Sequence, residues 1–333
     1  MGNLTPTRTI PNLVMRPYAG DADAIETARI DSAEMAVDRL REHITADQRL
    51  AEYRYPSEMF DPRRDVTMGE VEGQAVAFAA REWVDTTDGR YREYRLHGAV
   101  LPQWRRRGIG RALLAESERY LRELAATHDT PRQKVFGSWS GEHQAGDIAL
   151  LTANGYGEVR WFFTMTRPTL DDTPDVPLPD GIEVREVTAS DTKAVWEADV
   201  DAFQDHWGGF DPSEEAMRRF MDEPWFDPSM WVIAFDGDEI AGGVLNGIYP
   251  EENETLGLRR GWLDSVFTRR RWRRRGLARA LIARSLVKLR ERDMTSAVLG
   301  VDADNPTGAF GLYESGGFVV SERATAWRKP LQG

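Results

Sequence analysis

The sequence predicts an α/β fold built twice in one chain. Three observations carry this reading: an Arg-Gly segment that recurs with its flanks, the same order of short strands and helices around each copy, and Glu-Gly or Asp-Gly turns that suit β-hairpins. One copy runs Val100-Leu-Pro-Gln-Trp104-Arg105-Arg106-Arg107-Gly108-Ile109-Gly110. The other runs Thr268-Arg-Arg-Arg-Trp272-Arg273-Arg274-Arg275-Gly276-Leu277-Ala278, and the two glycines lie 168 residues apart. Glu72-Gly73-Gln74-Ala75-Val76-Ala77 resembles Asp236-Gly237-Asp238-Glu239-Ile240-Ala241 at a separation of 164, and Gly155-Tyr156 resembles Gly317-Phe318 at 162. Matches in a common order indicate a duplicated domain, not a short-period solenoid.

Each element follows in turn. A helix is expected over Asp21–Arg41 and again over Asp191–Phe203. Strands are expected over Val71–Ala80 in the first copy, and over Trp231–Phe235 and Glu239–Leu245 in the second. A further strand enters each Arg-rich turn, and a helix leaves it, over Arg111–Leu124 and Arg279–Arg292. In the second of these helices Leu281, Ile282, Ser285, Leu286 and Leu289 form a stripe at helical spacing. A strand, a helix and a Gly-aromatic strand close the unit. The stretch from Pro168 to Gly181 is rich in Pro and Asp and lacks periodicity. Domains are therefore expected at 1–170 and 181–333, joined by a linker at 171–180.

Composition narrows the function. The chain has 333 residues, with 41% hydrophobic and 29% charged, the balance of a soluble globular protein with about two domains. Its 43 Lys+Arg against 55 Asp+Glu give a net charge of −12. That argues against nucleic-acid binding, despite the two WRRRG segments, and suits amine-bearing partners. Without cysteine there is no disulfide, thiol nucleophile or thiolate zinc site, which is compatible with a cytoplasmic location. The five histidines are scattered, so no metal is expected. No apolar run is long enough to cross a membrane, and the N-terminus, MGNLTPTRTIPNLVMRPY, carries no secretory pattern. The GSWSG at Gly137 places Trp139 where a hydrolase elbow needs serine.

The Arg-Gly turn has its own chemistry. Glycine permits close approach of backbone to ligand, and the following helix presents free N–H groups at its positive end. Together with arginines this makes a cradle for a pyrophosphate. The alternative is a plain turn with solvated arginines.

Arg105-x-x-Gly108-x-Gly110 and Arg273-x-x-Gly276-x-Ala278 resemble the Q/R-x-x-G-x-G/A motif of the GCN5-related N-acetyltransferases. The preceding Val100-x-Pro102-x-Trp104, and Asn305-Pro-Thr-Gly-Ala309-Phe-Gly-Leu312-Tyr313-Glu-Ser-Gly-Gly317-Phe318 further on, resemble other segments of that superfamily. The resemblance spans essentially the whole chain, once per half, in the tandem layout of its mycothiol-synthase branch, whose first copy is commonly degenerate. It implies two domains, each a mixed, mainly antiparallel sheet flanked by helices. It implies acetyl-CoA as cosubstrate and a primary amine, of a small molecule, as acceptor. Peptide or protein acetylation, or a CoA-responsive binding protein without turnover, are the alternatives.

By that resemblance the strand before each cradle splays from its neighbour. The backbone of Val266, Phe267 and Thr268 then holds the pantetheine arm, and Arg273, Arg274, Arg275, Gly276, Leu277, Ala278 and Asn305 complete the cofactor site. Val100, Arg105, Arg106, Arg107, Gly108, Ile109 and Gly110 are the first-half counterparts. Tyr313 stands where the family protonates the departing thiolate. Leu151 stands at the equivalent place in the first half, so catalysis is expected in the second. The strand position where many relatives carry Glu is Trp262 here, and Tyr94 in the first half. Asp264, two residues on and on the same face if the strand alternates, is the candidate base, or else a solvated or capping Asp. Asp205, His206 and Trp207, in a segment of the FxDHWG type, are the candidate acceptor contacts, or else a helix terminus. The acidic run Glu251-Glu252-Asn-Glu254 reads as a solvated hairpin tip.

Overall fold

A computed structural model describes residues 12–305 and 308–331. Most of the N-terminal stretch screened for a secretory pattern lies outside these residues. The first half runs β1 (Leu13–Pro17), α1 (Asp21–Asp38), α2 (Ala46–Arg54), α3 (Pro62–Asp65), β2 (Val66–Val71), β3 (Gln74–Asp85), β4 (Tyr91–Val100), α4 (Ile109–Thr127), β5 (Gln133–Gly141), α5 (Ala145–Ala153) and β6 (Gly157–Arg167). The second runs β7 (Ile182–Arg185), α6 (Thr192–Ala202), α7 (Glu214–Met221), β8 (Val232–Asp236), β9 (Glu239–Gly247), α8 (Pro250–Leu256), β10 (Arg260–Thr268), α9 (Leu277–Glu291), β11 (Ser296–Asp302), α10 (Ala309–Ser315) and β12 (Val319–Pro330). None of the described helices is long and apolar enough to cross a membrane.

All twelve described strands join one mixed, mostly antiparallel sheet in the order β1-β2-β3-β4-β5-β12-β6-β11-β10-β9-β8-β7. Local sequence explains much of it. Glu72 and Gly73 both take positive φ, 55° and 79°, as a tight β2–β3 hairpin turn requires. Leu277, Leu281, Ile282, Leu286 and Leu289 bury one face of α9 against the sheet. Each such side chain contributes roughly 1.5–3 kcal/mol, which fixes the helix whose start forms the second Arg-Gly turn.

At the centre, sheet order and chain order diverge. β12 inserts between β5 and β6, while β6 pairs with β11. Each half's last strand therefore extends the other half's sheet. Nothing in the local sequence specifies this exchange.

The acidic run is not a hairpin tip. Pro250 opens a helix there and Gly257, at φ 62°, closes it. Asn253 clasps the backbone N–H and C=O of Arg260, and buried Glu252 pairs with the Arg260 guanidinium at 3.0 Å. Helix capping and one ion pair override the exposure that the charges suggest.

Candidate active site

The second Arg-Gly turn is built from a strand end, a glycine and a helix start. Thr268 ends β10, a short 3-10 turn follows at Arg270–Trp272, and Arg274 and Gly276 take φ of 61° and 83°. α9 starts at Leu277, and its first i→i−4 bond is from Ala280 N–H to Gly276 C=O. The N–H groups of Leu277, Ala278 and Arg279 thus face out of the helix end. Arg273 braces the turn. It donates to the carbonyls of Thr268 (2.9 Å) and Ala202 (2.9 Å) and to Asp205 (2.8 Å). Arg274 remains exposed on the wall.

A cavity of about 1110 Å³ runs from this turn along β10. It exists because β10 pairs with β11 only over Arg260–Trp262 and then separates. The edge of β10 from Leu263 to Thr268 is uncovered on that side, so the chain has room for an extended arm beside Val266, Phe267 and Thr268. Phe162, Phe163 and Thr164 of β6 form part of the wall, contributed through the strand exchange.

The registers of β10 and β9 shift between Leu263 and Ser265. Asp264 is the extra residue of a bulge, so simple alternation with Trp262 does not hold there. The bulge turns Asp264 to the cavity, where it is open to solvent but crowded by protein. Desolvation lifts its carboxyl to about 7, against a hydrogen bond donated by Tyr249 Oη. A side chain at Gly247 would stand 2.5 Å from Asp264 Oδ2, so glycine leaves space for the pair. Next to it, Ser265 donates to Asp199 at 2.6 Å, and burial raises Asp199 to about 6.

The predicted acceptor residues part ways. Asp205 lines the cavity, but Arg270 and Arg273 take both its oxygens and hold its carboxyl at about 2. It is a brace for the Arg-Gly turn, not a carboxylate awaiting an amine. His206 lines the cavity and packs on Phe203. Trp207 lies between the halves, near Phe162 and Trp139 and under the Arg328 guanidinium at 4.5 Å. The rest of the segment docks on the first half: Thr87 N–H donates to Gly208 C=O, and Arg95 donates to Gly209 C=O. A Cβ at Gly209 would stand 2.2 Å from the Asp85 carbonyl oxygen.

Tyr313 is buried on α10 and meets Phe318 edge-on, while its neighbours Ala309 and Leu312 face the cavity. Burial pushes its hydroxyl up to about 12. Asn305 also lines the cavity, whereas Arg275 reaches the Asp180 carbonyl.

The first half repeats the turn. Arg106 and Gly108 take φ of 62° and 95°, and Arg105 donates to Val100 C=O, Glu34 and Asp38. Val100, Arg105, Arg106, Gly108, Ile109 and Gly110 line a second cavity of about 900 Å³. Arg107 turns away and stacks over Trp104.

The model of the Acetyltransferase (GNAT) family matches residues 32–133 and 193–318, one match over each Arg-Gly turn. The chain belongs to the GNAT acetyltransferase family. It is 30% identical over 278 residues to a mycothiol acetyltransferase of Geodermatophilus obscurus, covering 80% of this chain and 82% of that one. A mycothiol acetyltransferase of Salinispora arenicola is 31% identical over 265 residues, covering 78% and 79%. A GCN5-related N-acetyltransferase from Sphaerobacter thermophilus superposes with TM-score 0.70 at 26% identity over 97% of both chains. A tandem GNAT protein from the clavulanic acid biosynthesis pathway shares the fold, with TM-score 0.68 at 17% identity over 96% of this chain and 99% of that one. The chain is thus a tandem GNAT N-acetyltransferase. Sequence reading missed Tyr249 and Asp199 at its site. Asp199 had a signal: it and Asp31 share the 168-residue separation of Gly276 and Gly108.

Proposed function

We propose that the protein transfers an acetyl group from acetyl-CoA to the primary amine of a small molecule, and that the second half, residues 181–333, carries the chemistry. The observation behind this reading is the single cavity whose wall holds both the α9 N-terminus and Asp264. The free N–H groups of α9 and exposed Arg274 suit a pyrophosphate. The uncovered edge of β10 suits the pantetheine arm, with a backbone N–H available to the thioester oxygen.

Asp264 accepts the amine's proton, since a carboxyl near 7 is half ionised at neutral pH. The amine attacks the thioester directly. Tyr313, kept protonated by burial, returns a proton to the departing thiolate. The relatives' name makes mycothiol-type acceptors the first class to try. Trp262, two residues before Asp264 on β10, donates to Glu252 at 2.9 Å.

The test is a calorimetric titration with acetyl-CoA, followed by CoA release with a panel of small amines and peptides. Turnover with small amines that falls on Tyr313→Phe and on Asp264→Asn supports the reading. Undiminished turnover by Tyr313→Phe removes the acid, and preference for peptides removes the acceptor class.

A further inference from the structure

We propose that the first half is a second acetyl-transfer centre, for a cationic alkylamine, in which His97 takes the amine's proton and returns it to the leaving sulfur. The proposal rests on reading the first Arg-Gly turn, like the second, as a pantetheine-pyrophosphate cradle.

The geometry is that of an oriented imidazole. β4 pairs with β5 over Tyr91–Arg95 and then parts from it, so His97 stands on the splayed segment leading to Gly108. Its side chain is 54% accessible, on the wall of the 900 Å³ cavity. Nε2 meets Asp31 Oδ1 at 2.9 Å, and Arg49 holds the other oxygen of Asp31, which is 2% exposed. With the shared proton on Nε2, the Nδ1 lone pair is free for a proton in transit. The pair coincides in sequence register with Ser265 and Asp199: each partner is offset by the 168 residues that separate the glycines. The repeat has therefore kept a buried helix carboxylate behind the splayed strand and set an imidazole before it.

One imidazole answers the difficulty posed by Leu151, which stands where the second half has Tyr313 and has no proton to give. As the neutral amine attacks, the C–N bond forms and the C–S bond breaks. The nitrogen's proton passes to His97 and then to the thiolate, giving the amide and the free thiol. No separate acid is required. The acceptor class follows from the wall, where Glu42, Asp147 and Glu322 gather beside the Arg105–Glu34 pair. Such a ring favours an ammonium group.

The charged groups facing His97 set its pH range. They are Asp31 and Glu34 of α1, Arg49 of α2 and Asp147 of α5. Desolvation by the surrounding cavity wall and Arg49 disfavour the imidazolium, but Asp31 outweighs them and lifts His97 to about 9. Turnover in the first half therefore rises as pH approaches 9.

The experiment uses the full chain with its second site silenced by Gly276→Trp and Asp264→Asn. Acetyl-CoA stoichiometry is read by calorimetry. CoA release is read with ethanolamine, putrescine and glucosamine from pH 6.5 to 10. Expected are one remaining acetyl-CoA site and amine-dependent release that climbs with pH. His97→Gln should lower release at least about 100-fold with acetyl-CoA still bound, and Asp31→Asn should move the midpoint downward. Binding without release, or release indifferent to His97→Gln, overturns the proposal while leaving the first cradle intact. Absence of the remaining acetyl-CoA site overturns the cradle reading instead, and the proposal with it.

Discussion

The two halves hold the Arg-Gly turn in one backbone conformation. Arg106 and Arg274 differ in φ by a degree, and both turns open a helix against the sheet. The halves diverge in the strand that enters the turn. β4 pairs with β3 from Ala77↔Val100 to Asp85↔Arg92 without interruption, whereas β10 bulges at Asp264. Behind the strand, Asp31 meets an imidazole in one half and Asp199 meets a hydroxyl in the other. On the closing helix, buried Leu151 faces the role of buried Tyr313. The turn is thus maintained by glycine, a helix start and an arginine braced on backbone carbonyls and nearby carboxylates. The chemistry beside it depends on one inserted residue and a few side chains, so it can change without disturbing the fold.

The largest effects should come from the residues that distinguish the second half. Tyr313→Phe and Asp264→Asn should each lower kcat by roughly 10²–10⁴ on the amine used by the wild type, read by CoA release. If Leu151→Tyr changes that rate as much, the halves are not divided as argued. Next, Gly276→Trp should abolish acetyl-CoA binding in the second half alone, and Gly108→Trp in the first alone, counted by calorimetry. Loss of both sites from either change would mean that the cradles are coupled.

Gly209→Ala sharpens the boundary between the halves. Its Cβ would clash with the Asp85 carbonyl, and a loss of about 1–3 kcal/mol is expected in denaturant unfolding. The smallest effect is a shift in a pH profile. Asp264 must be ionised to act, so kcat/KM should rise through about pH 7. Tyr249 donates to the charged form, so Tyr249→Phe raises the Asp264 pKa and moves that midpoint upward.

What was legible in the sequence was local. The two Arg-Gly turns, the stripe on α9 and the β2–β3 turn each follow from a handful of adjacent residues. What was not legible depends on distance or on a broken rule. The exchange of β6 and β12 joins segments more than 150 residues apart, and no short pattern encodes it. The bulge at Asp264 breaks the alternation that any strand reading assumes. Asp205 looked free because Arg270 and Arg273 lie some 65 residues on, where charge alone cannot pair them. Trp207 was expected at the acceptor and serves instead where the halves meet.

The exchanged strands also dictate when the molecule can finish folding. β5 is covered by β12, which pairs Val135 with Pro330, so the strand that seals the first half is made after every other described strand. Until then the nascent first half carries a bare hydrogen-bonding edge, the kind that recruits other chains. The first half's sheet is complete only once β12 has emerged from the ribosome. A truncation that spares every residue of the first half would still leave it with an open sheet.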